Sequence, residues 1–217
     1  MIPFDFDYAR SILPLLLEAS VITIEATVAS FAVALAVGLI LALLLRLKWR
    51  LVRWPLWGTM QFIRSTPLLV QLYFLFFVLP DFGIAMSPFV TGVIGLGLHY
   101  SCYIAEVYRA GLESVPKGQW EAATALNYGR SAAMLQIILP QAIPPIIPVL
   151  ANYMIAMFKD TPILAAITVI ELMQRANIIA TEKFLYVEPM TLVGLLFLAM
   201  SLVASAGVRV LEARLAR

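Results

Sequence analysis

From Ala26 to Leu45 the chain runs for 20 residues without a charge, with Glu18 and Glu25 before the run and Arg46, Lys48, Arg50 and Arg53 after it. At about 1.5 Å per residue such a helix spans about 30 Å, the thickness of a bilayer's hydrocarbon core. It is too long for the apolar part of a signal peptide, its basic cluster follows instead of preceding it, and no small-residue cleavage pattern comes next. We therefore expect the mature chain to keep it. Composition extends the inference to the whole chain. Of the 217 residues 62% are hydrophobic and 13% charged, against about 45–50% and about 25% in soluble domains. Five or six spans with short loops fill this length, so residues 1–217 read as one membrane domain, and a soluble enzyme is excluded. Cys102 is the only cysteine, which leaves no internal disulfide and no thiolate metal site.

Five spans are expected, at approximately 26–45, 55–79, 88–107, 140–158 and 189–208. The second contains a single charge, Arg64, and ends at the turn Leu79-Pro80-Asp81-Phe82-Gly83. The third has Glu106 near its far end. The fourth contains Pro140, Pro144, Pro145 and Pro148 and reads as a proline-broken stretch. Ile163 to Ile170 is too short to cross and reads as a re-entrant or interfacial element on the outer side. Counting Lys and Arg in the connections sets the orientation. Four basic residues follow the first span and none lies in 80–87. Arg109, Lys117 and Arg130 follow the third span, and Arg209, Arg214 and Arg217 close the chain. The connection 159–188 has three basic residues (Lys159, Arg175, Lys183) against four acids (Asp160, Glu171, Glu182, Glu188). This alternation gives an all-α integral membrane protein with five transmembrane helices, N-terminus outside and C-terminus cytoplasmic.

Ionisable groups inside spans are costly and face the bundle interior or a water-filled path. Arg64 lies nine residues into the second span, about 13 Å from its inner boundary, and Pro67 removes a backbone hydrogen bond three residues later. That combination predicts an unwound polar patch near the midplane, where transporters place solutes. His99, Tyr103 and Glu106 fall on one face of the third span, and the fourth ends in Lys159-Asp160-Thr161-Pro162. Arg64, Thr66, Tyr103, Asp160 and Thr161 are the candidates for lining a solute path, with Glu106 and Lys159 as a gate or ion pair. A guanidinium suits a carboxylate, while Asp160 and aromatic faces suit a delocalised cation. Two plainer assignments stay open: Arg64 locked to Glu106 across two helices, and His99 as a satisfied interior histidine. An ion-coupled secondary transporter and a non-transporting assembly protein are the rival classes. Nothing clusters as a nucleophile, a paired acid or a metal site, so no catalytic or metal-binding residue is expected.

The segment 109–139 is the largest inward-facing connection, and amphipathic surface helices fit it. It contains Glu121-Ala122-Ala123, three residues, Asn127, nine residues, then Ile137-Ile138-Leu139-Pro140. This pattern resembles the EAA loop of ABC importer permeases, with Asn127 where that motif has glycine. Asn tolerates a left-handed backbone better than other non-glycine residues, so the turn is expected to survive. Phe62-Ile-Arg-Ser-Thr-Pro-Leu-Leu-Val-Gln71, Tyr103-Ile-Ala-Glu-Val-Tyr-Arg109, Ser114-Val-Pro-Lys-Gly-Gln119, Leu139-Pro-Gln-Ala142 and Lys159-Asp-Thr161 are similar to the polar amino acid permeases, which import histidine, glutamine, glutamate and arginine. The segments keep that family's order from about residue 20 to residue 212. Lys159-Asp-Thr-Pro-Ile163, Ile143-Pro-Pro145 and Ala125-Leu-Asn127 look like the ectoine and hydroxyectoine branch, D subunit.

The resemblance implies a type I ABC importer transmembrane fold that is itself non-catalytic. It implies ATP and Mg bound by two separate ATPase subunits, in keeping with the lack of a GxxxxGK[ST] loop in this chain. It further implies a second permease, with a heterodimer favoured, an extracytoplasmic solute-binding protein, surrounding lipid, and no nucleic acid. Lys117, Gly118, Glu121, Ala122, Ala123 and Asn127 are the expected ATPase-coupling residues. Ectoine or hydroxyectoine is the expected solute, with a polar amino acid as the alternative.

Overall fold

The computed structural model describes residues 4–215; Arg217, counted above in the basic fringe, lies outside them. The first helix, α1, runs Phe6–Leu45, so it starts some twenty residues before the uncharged run. Asp5 caps it, its carboxylate accepting the Tyr8 N–H at 2.9 Å. Glu18 and Glu25 do not stop the helix, because charged side chains at a helix surface cost little where headgroups or water can reach them.

The second expected span is two helices. Here α2 (Arg50–Ser65) and α3 (Leu68–Tyr73) meet at a 106° bend. A π-helical turn, Phe74–Val78, and a 3₁₀ turn, Leu79–Phe82, continue α3 to Gly83, whose φ of 83° closes the expected turn. Helix α4 (Pro88–Glu113), capped by Ser87, carries on six residues beyond the expected boundary. The connection that follows holds α5 (Lys117–Ala125) and α6 (Arg130–Ala133).

Helix α7 (Leu139–Asp160) corrects the reading of its prolines: Pro144, Pro145 and Pro148 lie inside a continuous helix. The π turn Met134–Ile138 just ahead of it loosens the backbone where Pro140 enters. Prolines within a membrane helix are tolerated where neighbouring helices, side chains or water can take the freed carbonyls. A 3₁₀ segment (Thr161–Ile167), α8 (Leu172–Lys183) and α9 (Val187–Leu215) complete the described residues. Four helices are long and apolar enough to cross a membrane, five if the bent pair counts as one span.

Small residues hold the bundle together. Ala26, Ser30, Ala34, Gly38 and Ala42 recur every fourth residue on α1, all buried, and Gly97, Ser101 and Ala105 do so on α4. A Cβ on Gly97 would sit 2.6 Å from Val33 Cγ1, and one on Gly38 would sit 2.8 Å from Ile104 Cγ2. In lipid, helices gain from close backbone approach and not from hydrophobic burial, which is why such stripes form the seams. Elsewhere α8 lies across α1 and α9, burying Leu172, Ala176 and Ile179 against Ile12 and Leu16.

Candidate functional site

The break in the second span is built from its own sequence and finished from a neighbour. Pro67 offers no N–H and pushes Thr66 into an extended conformation, φ −100° and ψ 142°. The Thr66 hydroxyl turns back to donate to the Phe62 carbonyl at 3.0 Å. Gln71, one turn into α3, folds its amide over the gap, with Nε2 2.7 Å from the Ile63 carbonyl and 2.7 Å from Thr66 Oγ1. Its Oε1 lies 3.2 Å from His99 Nδ1 on α4. Two helices thus share the polar groups that the break exposes, as irregular backbone at membrane depth requires.

Arg64, three residues before the proline, is held over the Tyr103 ring, its Cζ 5.1 Å from the ring centroid. Its Nη1 is 3.9 Å from Glu106 Oε1, and the two side chains are 31% and 34% exposed. The other Glu106 oxygen accepts from Arg109 Nη1 at 2.9 Å, and Arg109 Nη2 reaches Glu113 at 3.6 Å. Charges therefore alternate along one side of α4. The 3.9 Å pair is too long for a hydrogen bond. Among the described residues, Arg64 spends none of its five N–H donors in a hydrogen bond. An intramembrane guanidinium with free donors and a ring beneath it can take a carboxylate in two-point fashion.

A run of rings leads away from Arg64. Tyr103 lies 5.4 Å from His99 and 6.0 Å from Tyr153, and Tyr100 lies 6.3 Å from Tyr153, centroid to centroid. At its far end the Tyr100 hydroxyl donates to Asp160 Oδ2 at 2.6 Å. Arg64, Tyr103 and Glu106 are thus brought together, and Asp160 joins them through Tyr100 and Tyr153. Thr66 serves the break. Thr161 is buried, its hydroxyl donating to the Phe158 carbonyl at 2.7 Å. Lys159 is exposed and forms no ion pair among the described residues, Asp160 included.

Sequence reasoning missed Gln71, Tyr100 and Tyr153. Gln71 had a signal, being the one amide in the apolar run 67–80. The tyrosines had none beyond Tyr100's place beside His99.

The segment between α4 and α7 is of a different kind. Lys117, Gly118, Glu121, Ala122 and Asn127 are exposed, and Ala123 alone of the coupling candidates is buried. Asn127 has φ 56°. Around it the Tyr128 N–H donates to the Ala123 carbonyl and the Asn127 N–H to the Thr124 carbonyl, both at 3.0 Å, the paired bonds of a Schellman helix end. The left-handed turn expected at this asparagine is present. Trp120, Met134 and Ile137 pack on the buried Val115 and Ile138, anchoring the loop to the foot of α7.

The family described as binding-protein-dependent transport system inner membrane component matches residues 11–217. The chain is 42% identical over 208 residues to the probable amino-acid ABC transporter permease protein y4tG of Sinorhizobium fredii, covering 96% of this chain and 90% of that one. It is 35% identical over 221 residues to the L-cystine transport system permease protein TcyB of Bacillus subtilis, covering 100% and 92%. Among solved structures it is similar to the crystal structure of an amino acid ABC transporter with histidines, with a TM-score of 0.92, 32% identity, and coverage of 98% of this chain and 100% of that one.

Proposed function

We propose that this chain, which belongs to the family of binding-protein-dependent transport system inner membrane components, is the inner-membrane permease of an ABC importer for polar amino acids. The observation that supports it best is Arg64, held over Tyr103 beside a broken span with its donors unspent. The names of y4tG and TcyB support the same solute class. They favour an amino acid over the ectoine expected from sequence wording.

Five spans run with the N-terminus outside and the C-terminus in the cytoplasm, and a second permease completes the passage. A solute-binding protein delivers the solute on the outer side, and two ATPase subunits bind ATP and Mg. Their closure is passed through α5 and α6, with Lys117, Gly118, Glu121, Ala122, Ala123 and Asn127 at the contact. ATP drives the cycle only by binding the closed ATPase arrangement better than the open one. The chain itself is non-catalytic. Its task is to pass the solute from the Asp160 end along Tyr103 and to receive its carboxylate at Arg64, with Glu106 competing for Arg64 when the site is empty.

A narrower reading, ectoine or hydroxyectoine, draws on the Tyr100, Tyr103 and Tyr153 rings beside Asp160, which suit a delocalised cation. Uptake by proteoliposomes holding the whole importer and its binding protein tests both. ATP-dependent accumulation of glutamine, cystine, arginine, histidine or glutamate, outcompeting ectoine, supports the amino-acid reading, and the reverse order replaces it. Accumulation driven by an ion gradient without ATP sinks the ABC reading altogether.

A further inference from the structure

One part of the molecule is left unused by transport. Helix α2 begins with Arg50, Arg53, Trp54 and Trp57, spaced so that all four share one helical face. All four are exposed, Trp54 at 65% and Trp57 at 47%. Met60 and, in part, Leu56 and Ile63, on the stripe adjoining Arg53 and Trp57, pack into the bundle. Beneath the exposed face lies a cleft of about 340 Å³ lined by Leu45, Arg53, Trp54, Trp57 and Arg109. Arg46 and Lys48 lie in the turn between α1 and α2.

Of the two basic residues that line this cleft, Arg53 carries an uncompensated charge. No acidic residue occurs from Ala26 to Pro80. Among the described residues, no carboxylate pairs with Arg46, Lys48, Arg50 or Arg53; Arg109 alone has partners, Glu106 and Glu113. Basic residues that only set topology need no particular arrangement. Here Arg50 and Arg53 are aligned with two indoles, and Arg53 and both indoles line a concavity whose wall combines guanidinium groups with apolar surface. Tryptophan sits at the level of the headgroups, and basic pockets between helices on the cytoplasmic side take anionic headgroups. A phosphodiester with acyl chains matches both halves of the wall, the phosphate at Arg53 and the glycerol and first methylenes against Trp54, Trp57 and Leu45.

We propose that the cleft between α2 and the foot of α4 is a binding site for the headgroup of an anionic phospholipid. The orientation proposed above puts it in the cytoplasmic leaflet; the identity of the transported solute does not enter.

The test is thermal unfolding of the intact purified importer in an uncharged detergent, titrated with phosphatidylglycerol, with phosphatidylcholine, or with inorganic phosphate. Phosphatidylglycerol is expected to raise the unfolding temperature saturably, and the other two to leave it unchanged. The doubly substituted R50Q/R53Q protein, altered only at exposed positions, is expected to need about 25-fold more phosphatidylglycerol, roughly fivefold per charge lost. R53K keeps most of the response. An equal rise with phosphatidylcholine, an equal rise with inorganic phosphate, or an unchanged titration in R50Q/R53Q each overturns the proposal. So does loss of the ATPase subunits from R50Q/R53Q with the lipid response intact, which would give the cleft to a protein partner. ATP-driven uptake in the same preparation fails or succeeds independently of these outcomes.

Discussion

The break at Thr66-Pro67 and the turn at Asn127 both interrupt helices, and they are held by opposite means. At Asn127 both bonds that shape the turn come from six consecutive residues, Ala123 to Tyr128. At Thr66 the break is opened locally by Pro67 but closed from Gln71 and, through it, from His99 on another helix. A turn made of local bonds survives on an exposed surface and can present itself to a partner. A break at membrane depth has no water to complete it, so it must be finished by neighbouring polar groups. Those groups, with Arg64 beside them, are where the proposed function places the solute.

The largest expected effect tests the exposed side of this contrast. Deleting Glu121 to Ala123 shortens α5 by three of its nine residues and removes Ala123, its one buried residue. ATP-driven uptake is expected to fall to background and the ATPase subunits to be lost on affinity purification, while the chain still inserts. Retained uptake would remove the coupling role of the loop. Next in size is Arg64→Gln, which keeps a polar side chain beside Tyr103 but no charge. Uptake at low solute concentration should drop about tenfold to a hundredfold, the loss expected for a charge-assisted hydrogen bond. Unchanged uptake at normal expression would leave Arg64 with Glu106 as a structural pair only.

The break itself gives a third, stability-based test. Gln71→Leu leaves the Ile63 carbonyl and the Thr66 hydroxyl without their amide donor, at a cost of about 1–3 kcal/mol, seen as a lower unfolding temperature of the detergent-purified importer. If Gln71→Leu unfolds with the native protein, water or lipid completes the break and the contrast with Asn127 disappears.

How much could be read in advance follows the same division. Helix existence, the Gly83 turn and the left-handed Asn127 depend on nearest neighbours, and each was legible. The 20-residue charge-free window fixed one span but not its ends. Asp5 caps α1 far upstream, and a terminal cap gives no hydropathy signal. The four prolines of α7 pointed the wrong way because their cost depends on what surrounds the freed carbonyls. The small-residue seam of α1 and α4 was visible as a four-residue repeat, yet only the fold pairs Gly38 with Ile104 and Gly97 with Val33. Of the candidate site, the Arg64, Tyr103 and Glu106 grouping was foreseeable from helical spacing plus one intramembrane charge. The bonds of Gln71 and Tyr100 were not, since each joins elements distant in sequence.

Substituting Asn127 separates backbone conformation from side-chain chemistry. Asn127→Gly, the residue of the EAA pattern, should leave both stability and uptake near the native level. Asn127→Val puts a β-branched residue at φ 56°, with a cost of about 1–2 kcal/mol, and uptake should fall severalfold as α5 and α6 lose their fixed angle. Equal behaviour of the two variants would mean that the turn is set by Trp120 and its apolar contacts and not by the local bonds.

Glu171 stands between the two cases and has the smallest expected effect. It is a local cap, its carboxylate accepting the Met173 and Gln174 N–H groups at 2.9 and 2.8 Å, but it is also wholly buried against α1. Burial pushes its carboxyl up to about 7, against the pull of those N–H groups and of Thr23. The folded chain therefore holds a proton that the unfolded chain releases near the ordinary glutamate value. The resulting stabilisation is complete below that ordinary value, declines as pH rises towards 7, and is gone above it. Glu171→Gln should flatten this slope between pH 5 and 8 while lowering stability at pH 5 by about 1 kcal/mol for the weaker cap. A slope that persists in the glutamine variant would assign the pH dependence to another group. It would also place Glu171 with Asn127, as a residue whose role is set by its immediate neighbours alone.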